Sequence, residues 1–498
     1  MLAWTIYSSF LGALAVLLIP ERQRMMSRWV ALGTAGLGLV LGLFGAVEFG
    51  GGPVVQTIVE QRWIAVLGID FTLAVDGISI VLVLLTGLAA VSGVLISWNV
   101  EHRIKEYYAF YLTLIGGVYG VFLSFDLFLL FVFYEIAIVP KYFLIAIWGS
   151  TRREYAAMKL ALYSFVGSAL VLIGIIAAYV VSGVFSFDIR DLAAAEFPME
   201  FQIWAFPLVF VGFAILAGLW PFHTWAPTGH VAAPTAASML LAGVVMKLGA
   251  YGALRVAMTL FPQGLVYWQD TLAGLAVVGI VYGALVALTQ KDFKFVIGYS
   301  SVSHMGFVLL GMASLNLIGL SGAVLQMFSH GIIAGLLFAV VGRMVYERTH
   351  TRNIDELKYM RLRAKMPAVA MVFTVAGLAS MGMPGFSGFV AELQVIIGAW
   401  QAFPMFSVLA GVGIVIGVCY TLKTIQLVFY NEDDDSRPAP TDESEEEMVA
   451  MTLPERIAAW MLMLTSLLVG LYPRILLDLI NPAFQTPLFE GLRKAANW

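Results

Sequence analysis

Apolar residues recur along this chain in runs of 18 or more, separated by short polar segments, from the first residues to about position 473. Each run is long enough to cross a hydrocarbon core of about 30 Å as a helix. Lipid offers an unpaired backbone N–H or C=O no partner, so a helix is the structure such a run must take. The pattern predicts fourteen spans, numbered here 1 to 14, near 3–19, 29–47, 78–97, 108–124, 127–148, 160–181, 203–225, 233–254, 271–289, 294–313, 315–346, 367–400, 404–430 and 457–473. The expected fold is an all-α polytopic membrane protein.

The polar segments give the orientation. Those after odd-numbered spans hold ERQRMMSR, NVEHRIKE, STRREYAAMK, QKDFK and GRMVYERTHTRNIDELKYMRLRAK, whereas those after even-numbered spans are nearly free of Lys and Arg. The positive-inside rule puts the first set in the cytoplasm and both termini on the other side. The first run lacks a basic leader and a small-residue cleavage site, so it reads as span 1 and not as a removed signal.

Two runs are interrupted. Span 7 contains GLWPFHTWAPTGHVAAPT (218–235), with Pro221 and Pro227, and span 12 contains SMGMPGFSG (380–388). They lie five spans apart. Broken helices at matching positions of two halves point to an inverted-repeat transporter whose freed backbone lines a polar cavity. The halves would be spans 4–8 and 9–13, and an odd number of crossings makes them inverted. The expected divisions are 1–107 (spans 1–3), 108–257 and 258–430 (the repeats), 431–453 (an acidic cytoplasmic segment) and 454–498 (span 14 and the tail).

Composition supports the membrane reading: 60% of the 498 residues are hydrophobic and 12% charged, where soluble proteins carry about 25% charged residues. The net charge of −4 hides a run of nine acids and one Arg at 432–447, which reads as a solvated loop. The single cysteine, Cys419, allows neither an internal disulfide nor a thiolate cluster. No phosphate loop, dinucleotide fingerprint or Cys/His metal spacing is present. No cofactor is expected on this chain, and no nucleic-acid partner.

A charge at the bilayer centre costs about 2.5–3.5 kcal/mol on the most lenient scale, so each one inside a span is a functional candidate. Away from span ends these are Glu135 and Lys141 (span 5), Lys247 (span 8), Glu392 (span 12) and Lys423 (span 13), the last close enough to its span end to snorkel. Four histidines join them: His223 and His230 at the first break, His304 in span 10 and His330 in span 11. Buried carboxyls, amines and imidazoles are groups whose proton affinities converge toward neutrality, which suits proton transfer. There is no Arg fork for an anionic substrate.

The segments LFVFYEIAIVPKYFLIAIWGS, HTWAPTGHVAAPTAASMLLAGVVMKLGAYG, IGYSSVSHMGFVLLG, VLQMFSHGIIAGLLFAVVGRMVYERTHTR and GMPGFSGFVAEL resemble, in this order, the antiporter-like membrane subunits of respiratory complex I, and among them the subunit M branch. The resemblance runs from about residue 70 to 430. It implies fourteen helices with broken spans 7 and 12, and a proton channel driven by quinone reduction elsewhere in a complex of several membrane subunits. It also implies a bacterial-type inner membrane. In the family a span-5 glutamate and a span-7 lysine modulate a central span-8 lysine, which exchanges protons with a span-12 acid. Glu135, Lys247 and Glu392 match the first, third and fourth; His304 and His330 match polar positions between them.

The span-7 lysine does not match. Its position, seven before His223, is Leu216, and the family's PDAHVEAP reads PTGHVAAP here, with Thr228 and Ala232. One charge is added: Lys141, six positions after Glu135, stands where relatives are apolar. Six residues place two side chains about 120° apart on a regular helix, and Pro140 can distort that turn. Lys141 is therefore expected to supply the missing cation. Two other readings stay open: a subunit of a multi-subunit Na⁺/H⁺ antiporter or membrane-bound hydrogenase, and a non-pumping spacer.

Overall fold

The computed structural model describes residues 1–431 and 449–497, so the acidic run lies outside the described residues. Eleven helices have the length and hydropathy of membrane spans. They are span 2 (Arg24–Phe49), span 3 (Gly77–Ile96), span 5 (Leu127–Trp148), span 6 (Arg153–Ser182), span 7 (Met199–Ala232), span 8 (Thr235–Leu260), span 9 (Pro262–Thr289), span 10 (Phe293–Ala313), span 11 (Leu317–Thr349), span 13 (Pro404–Phe429) and span 14 (Leu453–Leu471). The remaining expected crossings are span 1 (Ala3–Leu18), span 4 (Ile104–Leu123) and the broken span 12, Pro367–Ser380 followed by Ser387–Ala402.

Starts are fixed by short polar side chains that accept from the free N–H groups of the first turn. Asp76 caps span 3 through Ser79 N, Asp126 caps span 5 through Leu129 N, Asp292 caps span 10 through Lys294 N, and Asn316 caps span 11 through Gly319 N.

Burial sorts the spans. The most apolar windows of spans 8 and 11 are wholly buried, while those of spans 2 and 13 are only 28% buried, so the former pair forms the centre and the latter the lipid-facing rim. Spans 8 and 11 pack on each other and on span 3. Gly243 and Gly331 lie at their crossing: a Cβ on Gly331 would sit 2.6 Å from the Gly243 carbonyl oxygen. Small residues at such a crossing let backbones approach closely.

Both interruptions are true breaks. Span 7 ends its first half at Ala217, passes Gly218 at positive φ and a turn at Phe222–Thr224, and resumes over Trp225–Ala232. Span 12 stops at Ser380 and resumes at Ser387, with Gly382 (φ 74°) and Gly385 (φ 103°) between. Each break falls in the fourth helix of its five-helix set. Span 8 has π-helical turns at Leu241–Val245 and Ala253–Ala257, and span 11 one at Ala339–Tyr346. Such turns widen a helix and are common at functional sites.

The chain is not purely helical. Between spans 2 and 3 an antiparallel hairpin pairs β1 (Gln56–Ile64) with β2 (Ile69–Val75). Its Thr57, Ile58, Val59, Trp63 and Ile64 have the β-branched and aromatic side chains that favour strands, in a segment too polar to read as a span. After span 14 the tail forms helices Arg474–Ala483 and Glu490–Ala496.

Candidate functional site

Lys247, in the helical turn between the two π-helical segments of span 8, is fully buried. Its Nζ donates to the Ala242 carbonyl at 2.5 Å and lies 2.6 Å from His330 Nδ1 on span 11. With Lys247 donating, His330 holds its own proton on Nε2, an atom with no hydrogen-bond partner among the described residues. The His330 ring lies 5.4 Å, centroid to centroid, from that of His304 on span 10. His304 Nδ1 is 2.9 Å from Glu392 Oε1, and Gln326 Nε2 donates to the same oxygen at 3.3 Å. His304 Nε2 is 3.3 Å from Ser380 Oγ at the last turn before the span-12 break.

The four groups thus form two bonded pairs, Lys247–His330 and His304–Glu392, separated by one gap. A cavity of about 10 Å³, lined by both histidines, Gln326, Ser329, Ser380 and Glu392, opens in that gap. That is close to the smallest space that holds one water. Gly382 explains the fit of the break against the acid: a Cβ there would come within 3.0 Å of Glu392 Oε2, and its φ of +74° is one that L side chains avoid.

The other candidates fall outside this row. Among the described residues, the Oε1 of the partly buried Glu135 has no hydrogen-bond partner, and neither has the Nζ of the fully buried Lys141. The two are close enough to act on each other electrostatically, with no hydrogen bond or ion pair between them among the described residues. Pro140 is accommodated inside a continuous helix, so the two side chains keep their angular separation. Leu216 is buried and apolar. His223 packs its ring 5.1 Å from Tyr282 and joins none of the row's hydrogen bonds. Lys423 is exposed and donates to the Leu288 carbonyl.

Sequence reasoning missed Gln326, Ser380 and the residue pair Asp76–Arg255. Gln326 lies four residues before His330, one turn away on the same helix face, which was a readable signal. Asp76 and Arg255 fall just outside predicted spans 3 and 8, where a charge can reach the membrane surface and gives no signal. Both are buried, and Arg255 Nη2 reaches Asp76 Oδ2 at 2.6 Å, with Tyr251 and Ser79 completing the cluster. A second network joins the partly buried Arg343 and Arg348 of span 11 to the buried Glu455 of span 14.

Paired broken helices around a buried row of bases and acids define a class, the inverted-repeat membrane proteins with an antiporter-like core. Residues 124–417 match the family described as NADH:quinone oxidoreductase/Mrp antiporter, TM, and the chain belongs to it. NAD(P)H-quinone oxidoreductase chain 4 1 of Synechococcus sp. (strain JA-3-3Ab) is 39% identical over 93% of this chain and 88% of its own length. NADH-quinone oxidoreductase subunit M of Rhodobacter capsulatus is 37% identical over 95% and 93%. A chain in the structure of respiratory complex I from Thermus thermophilus with bound NADH superposes with a TM-score of 0.85 at 28% identity, over 100% and 98%. A chain of the Mrp complex from Dietzia sp. DQ12-45-1b shares the fold, with a TM-score of 0.86 at 22% identity over 99% and 98%.

Proposed function

We propose that this chain is a proton-translocating membrane subunit of an NADH:quinone oxidoreductase, and that Lys247, His330, His304 and Glu392 carry the proton between its two repeats. The observation that carries the reading is the Lys247–His330 contact, which joins the buried lysine of the first repeat to the His304–Glu392 pair of the second across one water-sized gap. A lysine and a carboxylate in low dielectric respond strongly to a neighbouring charge, so each can be switched between holding and releasing a proton.

Glu135 and Lys141 are assigned the modulating role, with Lys141 supplying the cation absent at Leu216. The chain carries no redox group; hydride and electron transfer belong to other subunits of the complex. It sits in a bacterial-type inner membrane with both termini periplasmic, in line with the Lys/Arg-rich segments after odd-numbered spans.

The test is the proton-to-electron ratio of the whole complex reconstituted in vesicles. Lys247→Met and Glu392→Gln should each lower it while NADH oxidation continues. A buried, apolar Leu216 where the family has lysine favours one rival, the non-pumping spacer. A wild-type ratio in both variants would establish that rival.

A further inference from the structure

Span 14 belongs to neither five-helix repeat, yet it packs on the break of span 12. Ser387 opens the second half of that span, and its Oγ lies 2.8 Å from Ser329 Oγ of span 11 and 3.1 Å from Ser466 Oγ of span 14. All three serines are buried. A serine inside a helix commonly turns its hydroxyl back to a carbonyl of its own helix, as Ser92 and Ser300 do here; Ser387 and Ser466 turn theirs to other helices. One turn beyond Ser466, a Cβ on Gly470 would collide with the Gly385 carbonyl oxygen and the Phe386 backbone, so the same face of span 14 lies directly against the break.

Span 14 is itself anchored. In its first turn Glu455 takes Arg343 and Arg348 of span 11 at 2.8 and 2.7 Å. The break, by contrast, has Gly382 and Gly385 at positive φ, and glycine leaves a backbone the widest choice of conformations. The second half of span 12 therefore takes its position from what it packs against. Glu392 lies five residues beyond Ser387, about 7.5 Å along the helix, and a slide of one residue is about 1.5 Å. Such a slide is enough to take the 2.9 Å contact from Glu392 to His304 out of hydrogen-bonding range.

The structure assigns span 14 the part of a brace: Ser466 and Gly470 hold the second half of span 12 through Ser387 and the break, and so keep Glu392 against His304. This deepens the function proposed above and rests on it. Ser387 and Ser466 make no hydrogen bond to Lys247, His330, His304 or Glu392, so they are positioning residues. The same three hydroxyls could instead carry protons away from the row. Their chain ends at Ser466, beside a cavity of about 10 Å³ whose other lining residues are all apolar, and a proton arriving there would meet no base among the described residues.

Ser466→Ala removes the end of the hydroxyl chain, whereas Ser466→Thr keeps it and has that cavity for its extra methyl. The measurement is the pH profile of the proton-to-electron ratio of the reconstituted complex, for these two variants and Ser387→Ala beside Glu392→Gln. The titratable groups facing Glu392 are His304 of span 10, His330 of span 11 and Tyr420 of span 13, while span 14 beyond Arg456 has none. A change at Ser466 can therefore move the profile only by moving Glu392 among its partners. The expected result is a lower ratio and a profile shifted by about one pH unit in Ser466→Ala and Ser387→Ala, the scale of one lost hydrogen bond to a charged group. Ser466→Thr should restore both. An unshifted profile in Ser466→Ala and Ser387→Ala, with Glu392→Gln impaired, overturns the brace alone, whether or not less complex assembles. A shift that Ser466→Thr fails to reverse overturns it as well. A wild-type ratio in Glu392→Gln overturns the pumping reading itself.

Discussion

Lys247 Nζ and His330 Nδ1, 83 positions apart in the chain, meet at 2.6 Å because spans 8 and 11 cross at glycines. Gly243 lies four residues before Lys247 and Gly331 directly follows His330. The contact therefore depends on two residues without side chains, and this makes the first prediction.

Gly331→Ala should weaken both packing and pumping without altering any titratable group. Alanine gains about 1 kcal/mol in helix propensity, but its Cβ would sit 2.6 Å from the Gly243 oxygen and from Leu85 Cδ1. A backbone oxygen cannot rotate away, so overpacking of about 1–3 kcal/mol prevails. The expected outcome is a lower apparent Tm and a reduced proton-to-electron ratio; wild-type values of both would separate the glycine crossing from the function.

Lys141→Met bears on the replacement of the missing span-7 cation. Nζ of Lys141 has no hydrogen-bond partner among the described residues, so its removal relieves the cost of a buried polar group and Met refills the volume. Thermal stability should hold or rise by about 1–3 kcal/mol. Pumping should fall. Unchanged pumping would remove Lys141 from the mechanism.

Asp126 introduces a pH dependence at the start of span 5. Burial pushes its carboxyl up to about 6 from the ordinary 3.8, against the backbone N–H groups of Asp70 and Leu129 that favour the charged form. A raised folded-state pKa means the folded protein holds the proton more tightly than the unfolded chain. The associated stability is full below about pH 4, is lost as pH rises to about 6, and amounts to about 3 kcal/mol for a shift of this size. Asp126→Asn should flatten the apparent Tm between pH 4 and 6; an undiminished slope would assign it to other groups.

Arg255→Met should be more harmful than the same change made together with Asp76→Asn. The pair is almost entirely buried, with side-chain exposures of 1% and 0%. Breaking one partner of such a pair costs about 3–5 kcal/mol, because it strands the other charge. Asn at position 76 retains an oxygen for the Ser79 N–H cap. A double variant that recovers part of the loss in apparent Tm supports stranding as the cause, and strictly additive losses would contradict it.

Much of this was legible along the chain. Every long apolar run became a helix, since a backbone in lipid has no alternative, and both proline- and glycine-marked interruptions proved to be breaks. Lys247, Glu392, His304 and His330 could be named one by one because a polar group in an apolar run costs too much to be incidental. The hairpin escaped because its segment is neither apolar nor strictly alternating, and its strands are defined by pairing with each other and by Asp126 on Asp70.

The sequence by itself determined the crossings, the breaks and the buried charges in the middle of the spans, all of which follow from local exchange between water and lipid. Only the tertiary structure decided which of those charges meet. It joined Lys247 to His330 and His304 to Glu392, left Lys141 and Glu135 unbonded to each other, and set His223 aside. The reason is geometric: a contact between helices depends on where two backbones cross and how closely they approach, and glycines far apart in the chain, such as Gly243 and Gly331, set that distance together.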